Sequence, residues 1–377
     1  MEINAFYNIK RFVRIRNDSL LLEYDQVKCF QNQLSETDSR IGILNLENRL
    51  GNTIRIIHLR RSEMSGVLSS LKRYREYFYY HGNHYLLTGN SSSLCLCTIN
   101  RCDEFVKLVC NLSKYTRLDG KCSFVVNPHL PGVIYANIQR SKDKTRTYVS
   151  FDNGKKFIPI KFKSKSFKIL KNNCGVELEL ECTDLFINKH FPEKWVAIFN
   201  GKFHGRGFVS RHVFISFDGG KNWEMLKSRL DKLIVLNRGG LLFGRGSITH
   251  GIYYSFNQGV ISYKHYVSTD HLTAIQPLDF PKTSVVAAIN YDKFNNTYTL
   301  LMFNFSNVIS ICDIIIDRTC QSDDFETVYV PRYHWNCFQG QKISYLKQKP
   351  SSLCFDNRTE VQPTIKPCPC SLEDFHW

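Results

Sequence analysis

Four residues between Val213 and Trp223 have the types and spacing of a turn that its own side chains hold. After the apolar run Val213 to Ile215 come Ser216, Asp218, Gly220 and Trp223, at offsets 0, +2, +4 and +7. Serine hydroxyls and aspartate carboxylates bond neighbouring backbone N–H groups, and glycine supplies the positive φ that closes such a turn. The tryptophan adds a large apolar anchor. The pattern therefore predicts structural hydrogen bonding rather than catalysis.

The same spacing occurs elsewhere in the chain. A second full copy consists of Ser150, Asp152, Gly154 and Phe157. Two weaker copies consist of Thr98, Asn100, Cys102 and Phe105, and of Ser255, Asn257 and Gly259 with Ser262 at the aromatic position. Allowing for loop insertions, the copies are spaced by roughly the 40–50 residues of a four-stranded blade. This turn is the Asp-box of certain β-propellers, and its repetition predicts a propeller segment.

The elements around these turns are predicted to be short strands. Apolar runs flank the Gly239-Gly240 turn, and another strand pair is expected at 284–289 and 298–305. The expected fold is all-β: a partial Asp-box propeller with about five or six blades of a larger ring, then a small disulfide-rich module. We assign residues 41–312 to the propeller and 313–377 to the module, whereas 1–40 stay unassigned, with strands of an earlier blade as one interpretation.

The composition indicates a folded protein with an excess of basic residues. The 377 residues are 43% hydrophobic and carry a net charge of +16. The basic residues are spread along the chain without a nucleic-acid-binding signature, so no nucleic-acid partner is expected. Residues 60–85 mix basic and aromatic side chains, which favours a blade strand with a solvated face over a single-strand nucleic-acid site. Lysines that alternate with apolar residues predict a strand with one basic face. That face is either a surface for an anionic ligand or a plain solvated edge. The lysines are Lys161, Lys163, Lys165, Lys168 and Lys171.

Cysteines and glycosylation motifs favour the secretory pathway. The chain has fourteen cysteines and six N-x-S/T acceptors, Asn17, Asn90, Asn111, Asn295, Asn304 and Asn357. The N-terminal residues contain no apolar signal core, and no segment reaches the roughly 18 apolar residues of a membrane span. A luminal protein without these features is expected to be an internal fragment, attached to a membrane through a span absent from this chain.

Several cysteines have no pairing that the sequence decides. Cys174 and Cys182 flank the acidic segment 175–181 and predict a disulfide-closed hairpin loop, with a metal pair as the alternative. For the cluster Cys95, Cys97, Cys102, Cys110 and Cys122, and for Cys29 and Cys312, we assign no partner, although Cys-x-Cys can also bind zinc. From Cys320 onward, dense cysteines and prolines predict a separate small module stapled by disulfides.

The tail carries a specific resemblance. The sequences C-F-Q-G-Q-K-I-S-Y-L-K-Q-K-P-S-S-L-C-F-D-N-R (337–358) and C-P-C-S-L-E-D-F (368–375) resemble the first half of the ten-cysteine module of the sortilin family, which follows an Asp-box propeller. The resemblance covers about residues 90–377. It implies the pairs Cys174–Cys182, Cys320–Cys354 and Cys337–Cys368, with Cys370 paired further downstream. It also implies a receptor that binds peptide or protein cargo on the luminal or extracellular side of the Golgi, endosome or cell surface.

The sequence also allows two other classes of protein. Asp-boxes occur in sialidase-like glycoside hydrolases, and a secreted interaction protein without a sorting role is a further alternative. Glycosidase chemistry needs an arginine cluster and paired acidic groups, but Arg206, Arg211 and Arg245 stand in no such motif. We expect no enzyme activity, no catalytic residue, no cofactor and no metal, and we assign no ligand-binding residue. The excess of Lys and Arg favours acidic cargo, and histidines titrating near pH 6 would favour its release in acid.

Overall fold

The computed structural model describes most of the chain, with gaps. The described residues are 6–16, 19–30, 33–45, 55–58, 74–89, 93–99, 105–115, 120–141, 144–150, 151–163, 174–181, 189–205, 207–226, 230–246, 251–266, 272–278, 285–305, 319–333 and 336–370. They form two compact units, residues 1–112 and 113–374. Each unit is described by itself below. Among the described residues, no helix is long and apolar enough to cross a membrane.

The first unit contains two antiparallel sheets of four strands each. The strands of one sheet are β1 (Phe6–Arg16), β2 (Ser19–Phe30), β3 (Gln33–Asn45) and β4 (Arg55–His58), and those of the other are β5 (Tyr74–Tyr80), β6 (Asn83–Gly89), β7 (Leu94–Ile99) and β8 (Phe105–Val109). Both sheets are simple meanders in chain order. The core of the second sheet includes Tyr85, Leu86 and Leu96, all buried. Cys95 on β7 is disulfide-bonded to Cys110.

The second unit begins with two sheets that each contain a full serine-aspartate turn. Sheet A has β9 (Phe124–Val126), β10 (Ile134–Ser141), β11 (Lys144–Ser150) and β12 (Ile158–Pro159). Sheet B has β13 (Phe162–Lys163), β14 (Gly175–Leu178), β15 (Ala197–His204), β16 (Val209–Ser216) and β17 (Trp223–Met225), in the order β13-β17-β16-β15-β14. The pairs are antiparallel except β13 with β17, which is parallel.

Three further antiparallel sheets complete this unit. Sheet C has β18 (Leu230–Leu236), β19 (Leu241–Gly246), β20 (Ile252–Ser255) and β21 (Tyr263–His265). Sheet D has β22 (Leu272–Leu278), β23 (Val285–Asp292) and β24 (Thr297–Asn304), and the tail sheet has β25 (Phe325–Tyr329), β26 (Gln341–Gln348) and β27 (Thr364–Pro367). Two 3-10 turns, Asn237–Gly239 and Ser322–Asp324, accompany them. The described part of the chain is thus an all-β array of small, mostly antiparallel sheets.

Aromatic side chains fill the space between sheets A and B. The Tyr135 ring lies edge-on to Trp223 at 5.7 Å and tilted to Phe199 at 5.9 Å, while Phe199 lies 6.0 Å from Trp223. All three side chains are fully buried. Burial of such large apolar surfaces is the main favourable term in folding. The anchor of the second serine turn therefore belongs to the contact between two successive sheets.

A second cluster joins sheets C and D. It consists of Leu241, Phe243, Ile252, Leu272, Val286, Ala288 and Phe305, with Leu301 and Phe303 packed against it. On β24, Leu301 and Phe303 face this cluster, whereas the alternating residues Leu300, Met302 and Asn304 are exposed. This alternation is the period of two expected for a strand with one buried face.

The acidic segment after Cys174 is a strand and not a hairpin loop. Gly175–Leu178 pairs with β15, and the extended path continues to Glu181, which forms a bridge with Lys121. At about 3.3 Å per residue, seven extended residues advance the chain by roughly 20 Å, whereas disulfide-bonded Cα atoms lie within about 7 Å. Cys174 carries a free thiol in the structure, so the predicted hairpin disulfide is not formed there. Cys182 lies outside the described residues.

Replacement of Trp223 by alanine should strongly destabilise the second unit. Because its ring is fully buried between two sheets, we expect a loss of about 3–5 kcal/mol in the free energy of unfolding. Trp223→Phe, which keeps an apolar ring, should cost distinctly less. Urea denaturation followed by circular dichroism measures both variants. A loss below about 1 kcal/mol for Trp223→Ala would mean that the ring does not anchor the contact.

Candidate functional site: a cysteine-rich module docked on serine turns

Each full serine turn is held by its serine hydroxyl. Ser150 Oγ accepts the N–H of Gly154 at 2.8 Å and donates to Asp152 Oδ1 at 2.8 Å. Ser216 Oγ makes the same two bonds, to Gly220 N at 2.9 Å and Asp218 Oδ1 at 2.9 Å. One hydroxyl thus satisfies both a backbone donor and the carboxylate of its own turn. Such closed local networks fix a turn of non-repetitive backbone.

The aspartate of each turn also accepts a backbone N–H, which comes from the residue four positions later. Lys156 N donates to Asp152 Oδ1 at 3.0 Å, and Asn222 N donates to Asp218 Oδ1 at 2.8 Å. In the second turn, the Trp223 indole N–H also donates to the Gly220 carbonyl at 3.0 Å. Phe157, at the same position of the first turn, is half-buried. Both carboxylates are therefore turn-forming groups in this structure.

The turn at Ser255 forms completely although asparagine replaces aspartate and the closing aromatic is missing. Ser255 Oγ accepts from Gly259 N at 2.9 Å, and Asn257 Oδ1 accepts from Ile261 N at 2.7 Å. In all three turns two successive residues have positive φ, for example Gln258 at 59° and Gly259 at 86°. An amide oxygen accepts these bonds as a carboxylate oxygen does. The weak copy in the sequence is thus structurally equivalent to the two full copies.

The turn predicted at Thr98 falls mostly outside the described residues. Asn100 and Cys102 lie in that gap, and Phe105 begins β8. Thr98 Oγ1 donates to the carbonyl of His84 at 2.7 Å on the neighbouring strand. Its hydroxyl therefore serves the sheet of the first unit.

The cysteine-rich module, residues 319–370, rests on the three serine turns. At the first turn, Arg332 Nη1 donates to the Phe151 carbonyl at 3.3 Å, and the Tyr333 hydroxyl donates to the Lys156 carbonyl at 2.6 Å. The Tyr333 ring also lies 5.4 Å from that of Phe151. Main-chain carbonyls, rather than the turn carboxylates, are thus the groups that the module contacts.

The second turn also offers a main-chain carbonyl to the module, whereas at the third turn a side chain of the turn donates to the module. Lys347 Nζ donates to the Phe217 carbonyl at 3.3 Å, and Gln258 Nε2 donates to the Gln348 carbonyl at 3.5 Å. At Gly219, with φ of 69°, an added Cβ would lie 2.9 Å from Pro331 Cδ. This turn position therefore needs glycine both for its backbone conformation and for the close approach of the module.

A fourth contact is a clamp formed by Asn237 and Arg238 at the β18–β19 turn. The Asn237 side chain donates to the Cys354 carbonyl at 2.9 Å and accepts from Asp356 N at 2.8 Å. Arg238 Nη2 donates to the carbonyls of Arg358 at 2.7 Å and Thr359 at 2.6 Å. Both clamp residues have positive φ, 47° and 49°. Two successive non-glycine residues in this region cost backbone energy, which the side-chain bonds to the module offset.

Charged groups stabilise both sides of the clamp. Arg238 Nη1 lies 3.2 Å from Glu193 Oε1, and burial raises the pKa of the Glu193 carboxyl. On the module side, Arg358 binds Asp356 with Nε at 2.8 Å and Nη2 at 2.5 Å. Bidentate arginine–carboxylate pairs of this kind are the geometrically specific ones. They hold residues 356–359 in the shape that Arg238 binds.

Two disulfides staple the module, at the pairs that the sequence resemblance implies. Cys320 is bonded to Cys354, and Cys337 to Cys368. Cys370 is an exposed free thiol. A carboxylate oxygen of Asp324 lies within 4.8 Å of both sulfur atoms of the Cys320–Cys354 disulfide. Because both sulfurs are bonded to each other, they offer no thiolate for a metal ion. The predicted boundary between residues 312 and 313 lies outside the described residues.

The acidic strand carries three carboxylates on one face, each beside basic groups. Residues two apart on a strand share a face. Glu177 lies 3.0 Å from His204 Nε2, Glu179 lies 2.7 Å from Arg211, and Glu181 lies 3.4 Å from His190 Nε2. The neighbouring His190 imidazole lowers the pKa of the Glu181 carboxyl. Each carboxylate is thus engaged by a side chain of its own unit, which makes this face structural.

The remaining predicted positions include a buried arginine, Arg245, together with exposed asparagines and lysines. Arg211 is engaged with Glu179, Arg245 Nη1 donates to the Leu272 carbonyl at 2.6 Å, and Arg206 is outside the described residues. The described acceptor asparagines, Asn111, Asn295, Asn304 and Asn357, are exposed, whereas Asn17 and Asn90 are not described. Of the lysine stretch, Lys161 is exposed and Lys163 lies in β13, while Lys165, Lys168 and Lys171 are not described.

Comparison with known proteins finds similarity to sorting receptors. Residues 282–376 match the family model described as sortilin, neurotensin receptor 3, C-terminal. The chain is 23% identical to the vacuolar protein sorting/targeting protein 10 of Aspergillus terreus, over 60% of this chain and 15% of that protein. It is 23% identical to mouse sortilin, over 69% of this chain and 34% of that protein. The chain thus spans 15% and 34% of the lengths of these two relatives.

Among solved structures, one that is similar to this chain is a β-propeller. It is the β-propeller domain of the trilobed protease of Pyrococcus furiosus, 10% identical, with 99% of this chain and 98% of that domain covered at a TM-score of 0.27. The matched tail region and the docked module lie in the same part of the chain.

Loss of the clamp arginine should loosen the module. In Arg238→Ala, the carbonyls of Arg358 and Thr359 lose their donor and Glu193 loses its cation, so we expect a loss of about 2 kcal/mol in the free energy of unfolding and faster tryptic cleavage after Arg358. Arg211→Ala, which removes a mostly exposed ion pair elsewhere, is the matched control and should change neither quantity appreciably. Equal cleavage rates in the two variants would contradict the clamp.

Stability should decrease in mild acid because burial disfavours the charged form of two half-buried histidines, His129 and His204. Burial lowers the pKa of His129 and of His204. Below about pH 6.5 the unfolded chain therefore binds more protons than the folded chain, and the free energy of unfolding falls as the pH drops from 7.4 to 5.5. The double variant His129→Gln, His204→Gln should reduce this dependence, whereas His265→Gln, at an exposed site, should leave it unchanged. Denaturation at both pH values measures it, and an equal slope in all variants would contradict the assignment.

Proposed function

We propose that this chain, which is similar to sortilin and to vacuolar protein sorting/targeting protein 10, is the ligand-binding region of a sorting receptor. It binds peptide or protein cargo on the luminal side of Golgi, endosome or cell-surface membranes. No covalent chemistry is involved, since binding and release of cargo complete the cycle. Attachment to the membrane is by a span outside these residues.

The observation that carries this proposal is the docking of the cysteine-rich module on the serine turns. Arg332 and Tyr333, Lys347, and the Asn237–Arg238 clamp together fix the module to three successive sheets. The module lies within the region matched by the sortilin family model, residues 282–376, which also contains β23 and β24. A module attached at four places presents a rigid scaffold, and rigid scaffolds with exposed edges suit the recognition of extended peptides.

Secretory-pathway features support the luminal placement. Disulfides form and persist in oxidising compartments, and this chain has bonds at Cys95–Cys110, Cys320–Cys354 and Cys337–Cys368. The four described acceptor asparagines are exposed, as glycan attachment requires. The net charge of +16 favours acidic cargo.

A glycoside hydrolase is the less well supported alternative. Hydrolysis of a glycosidic bond would need free carboxylates. Asp152 and Asp218 each accept two hydrogen bonds inside their own turn. The named relatives are sorting proteins.

The test is a sorting assay in cells that express the gene. Deleting the gene should raise the secretion of a subset of soluble luminal proteins, measured by quantitative mass spectrometry of the medium. Re-expression of the complete natural product should restore their retention. The Arg238→Ala variant should restore it poorly, whereas Arg211→Ala should restore it fully. An unchanged secreted proteome after deletion would overturn the proposal.

A further inference from the structure

The outermost strand of sheet B carries an additional strand on its edge. β17 follows the Ser216 turn, and β13 pairs with it in parallel, with Phe162 opposite Trp223. Trp223 N donates to the Lys161 carbonyl at 2.8 Å, so the backbone N–H of Trp223 points outward from the sheet. The Phe162 ring packs 5.8 Å from Phe203 and 6.1 Å from Phe214. This is strand addition within one chain.

The equivalent edge of sheet C has no such strand among the described residues. β21 follows the Ser255 turn as β17 follows the Ser216 turn, and it ends its sheet. The side chains of Tyr263, Lys264 and His265 are all exposed, in contrast to the fully buried Trp223. Unpaired N–H and C=O groups on an edge are a template for another strand.

The difference follows from the lengths of the chain segments that join the sheets. Residues 160–174 join β12 of sheet A to β14 of sheet B, and β13 lies in this long link. Residues 226–229 join β17 of sheet B to β18 of sheet C. A four-residue link spans at most about 14 Å and has no residues to spare for an added strand. The edge of β21 therefore lacks an occupant from the corresponding link.

The surroundings of this edge indicate the chemistry of a ligand. Apolar side chains are exposed beside it, namely Val260 at 67%, Ile261 at 53% and Tyr266 at 74%. The Tyr263 ring stacks on Tyr254 at 5.3 Å. Lys264 and His265 add basic groups in a chain of net charge +16. An aromatic residue with acidic neighbours complements this combination.

We propose that the outer edge of β21 binds an extended, acidic peptide as an added parallel strand, with an aromatic residue of the peptide opposite Ser262. Ser262 holds the position after Ser255 that Trp223 holds after Ser216, so the register copies the Phe162–Trp223 pair. The inference rests on the proposed function in that it names a ligand class and an edge for peptide binding.

A designed peptide and one backbone variant test the site. The probe is the decapeptide Ile-Pro-Ile-Glu-Phe-Glu-Ser-Glu-Ser-Phe, which is residues 158–167 with glutamate in place of the three lysines. By equivalence with Trp223 and Met225, the N–H of Lys264 points outward. Lys264→Pro therefore removes an outward donor without removing a bond to β20, and proline is tolerated at such edge positions. Lys264→Ala is the matched control because it removes the charge and keeps the donor.

Fluorescence anisotropy with the intact chain should show saturable binding of the labelled probe. Lys264→Pro should weaken binding at least tenfold, and Lys264→Ala by only two- to fivefold, with thermal unfolding unchanged in both. No binding by the unaltered chain, equal binding of a scrambled probe, or Lys264→Pro within twofold of the unaltered chain would overturn the site. The site would also be overturned if the edge of β21 bound a second copy of this chain. That outcome would appear as a dimer that dissociates in Lys264→Pro but not on addition of the probe. Binding that depends on Lys264 together with a negative sorting assay would reject only the proposed function.

Discussion

The hydrogen bond from a glycine N–H to a serine hydroxyl is the interaction on which the second unit depends. It occurs at Ser150, Ser216 and Ser255, at 2.8–2.9 Å in each case. It closes a turn in which two successive residues have positive φ, the second of them always a glycine. At the first two turns the module binds main-chain carbonyls, and at the third turn the Gln258 side chain donates to a carbonyl of the module. Sheets and module are thereby joined through backbone groups whose position the turn fixes.

The clamp extends the same principle to a different turn. Asn237 and Arg238 adopt positive φ and use both side chains to bind backbone groups of residues 354–359. The module is too small to build much core, so disulfides and these contacts replace burial. Strained backbone at this turn persists because the bonds to the module satisfy it.

The sequence was sufficient for the local features and insufficient for the distant ones. Serine, aspartate and glycine at fixed offsets report short-range hydrogen bonds, which is why the turns are visible in one sequence. The Ser255 turn was underrated because its aromatic anchor is missing, yet asparagine accepts the same bonds. The segment after Cys174 was misjudged as a hairpin because cysteine spacing does not report whether the chain between is extended. For the clamp, the sequence shows only a turn, Asn237-Arg238 followed by two glycines. The residues that the clamp binds lie about 120 positions later, so the sequence does not reveal the contact.

Hydrogen exchange across a denaturant series tests most directly whether turns and module form one cooperative structure. We predict that peptides containing the Ser216 turn and peptides from β26 lose protection at the same denaturant concentration, because Lys347 and the Phe217 carbonyl join them. The same loss of protection should be seen in the clamp turn around Arg238. If β26 and residues 354–361 exchange at a clearly lower concentration than the serine turns, the module is an independent appendage and the central claim is wrong.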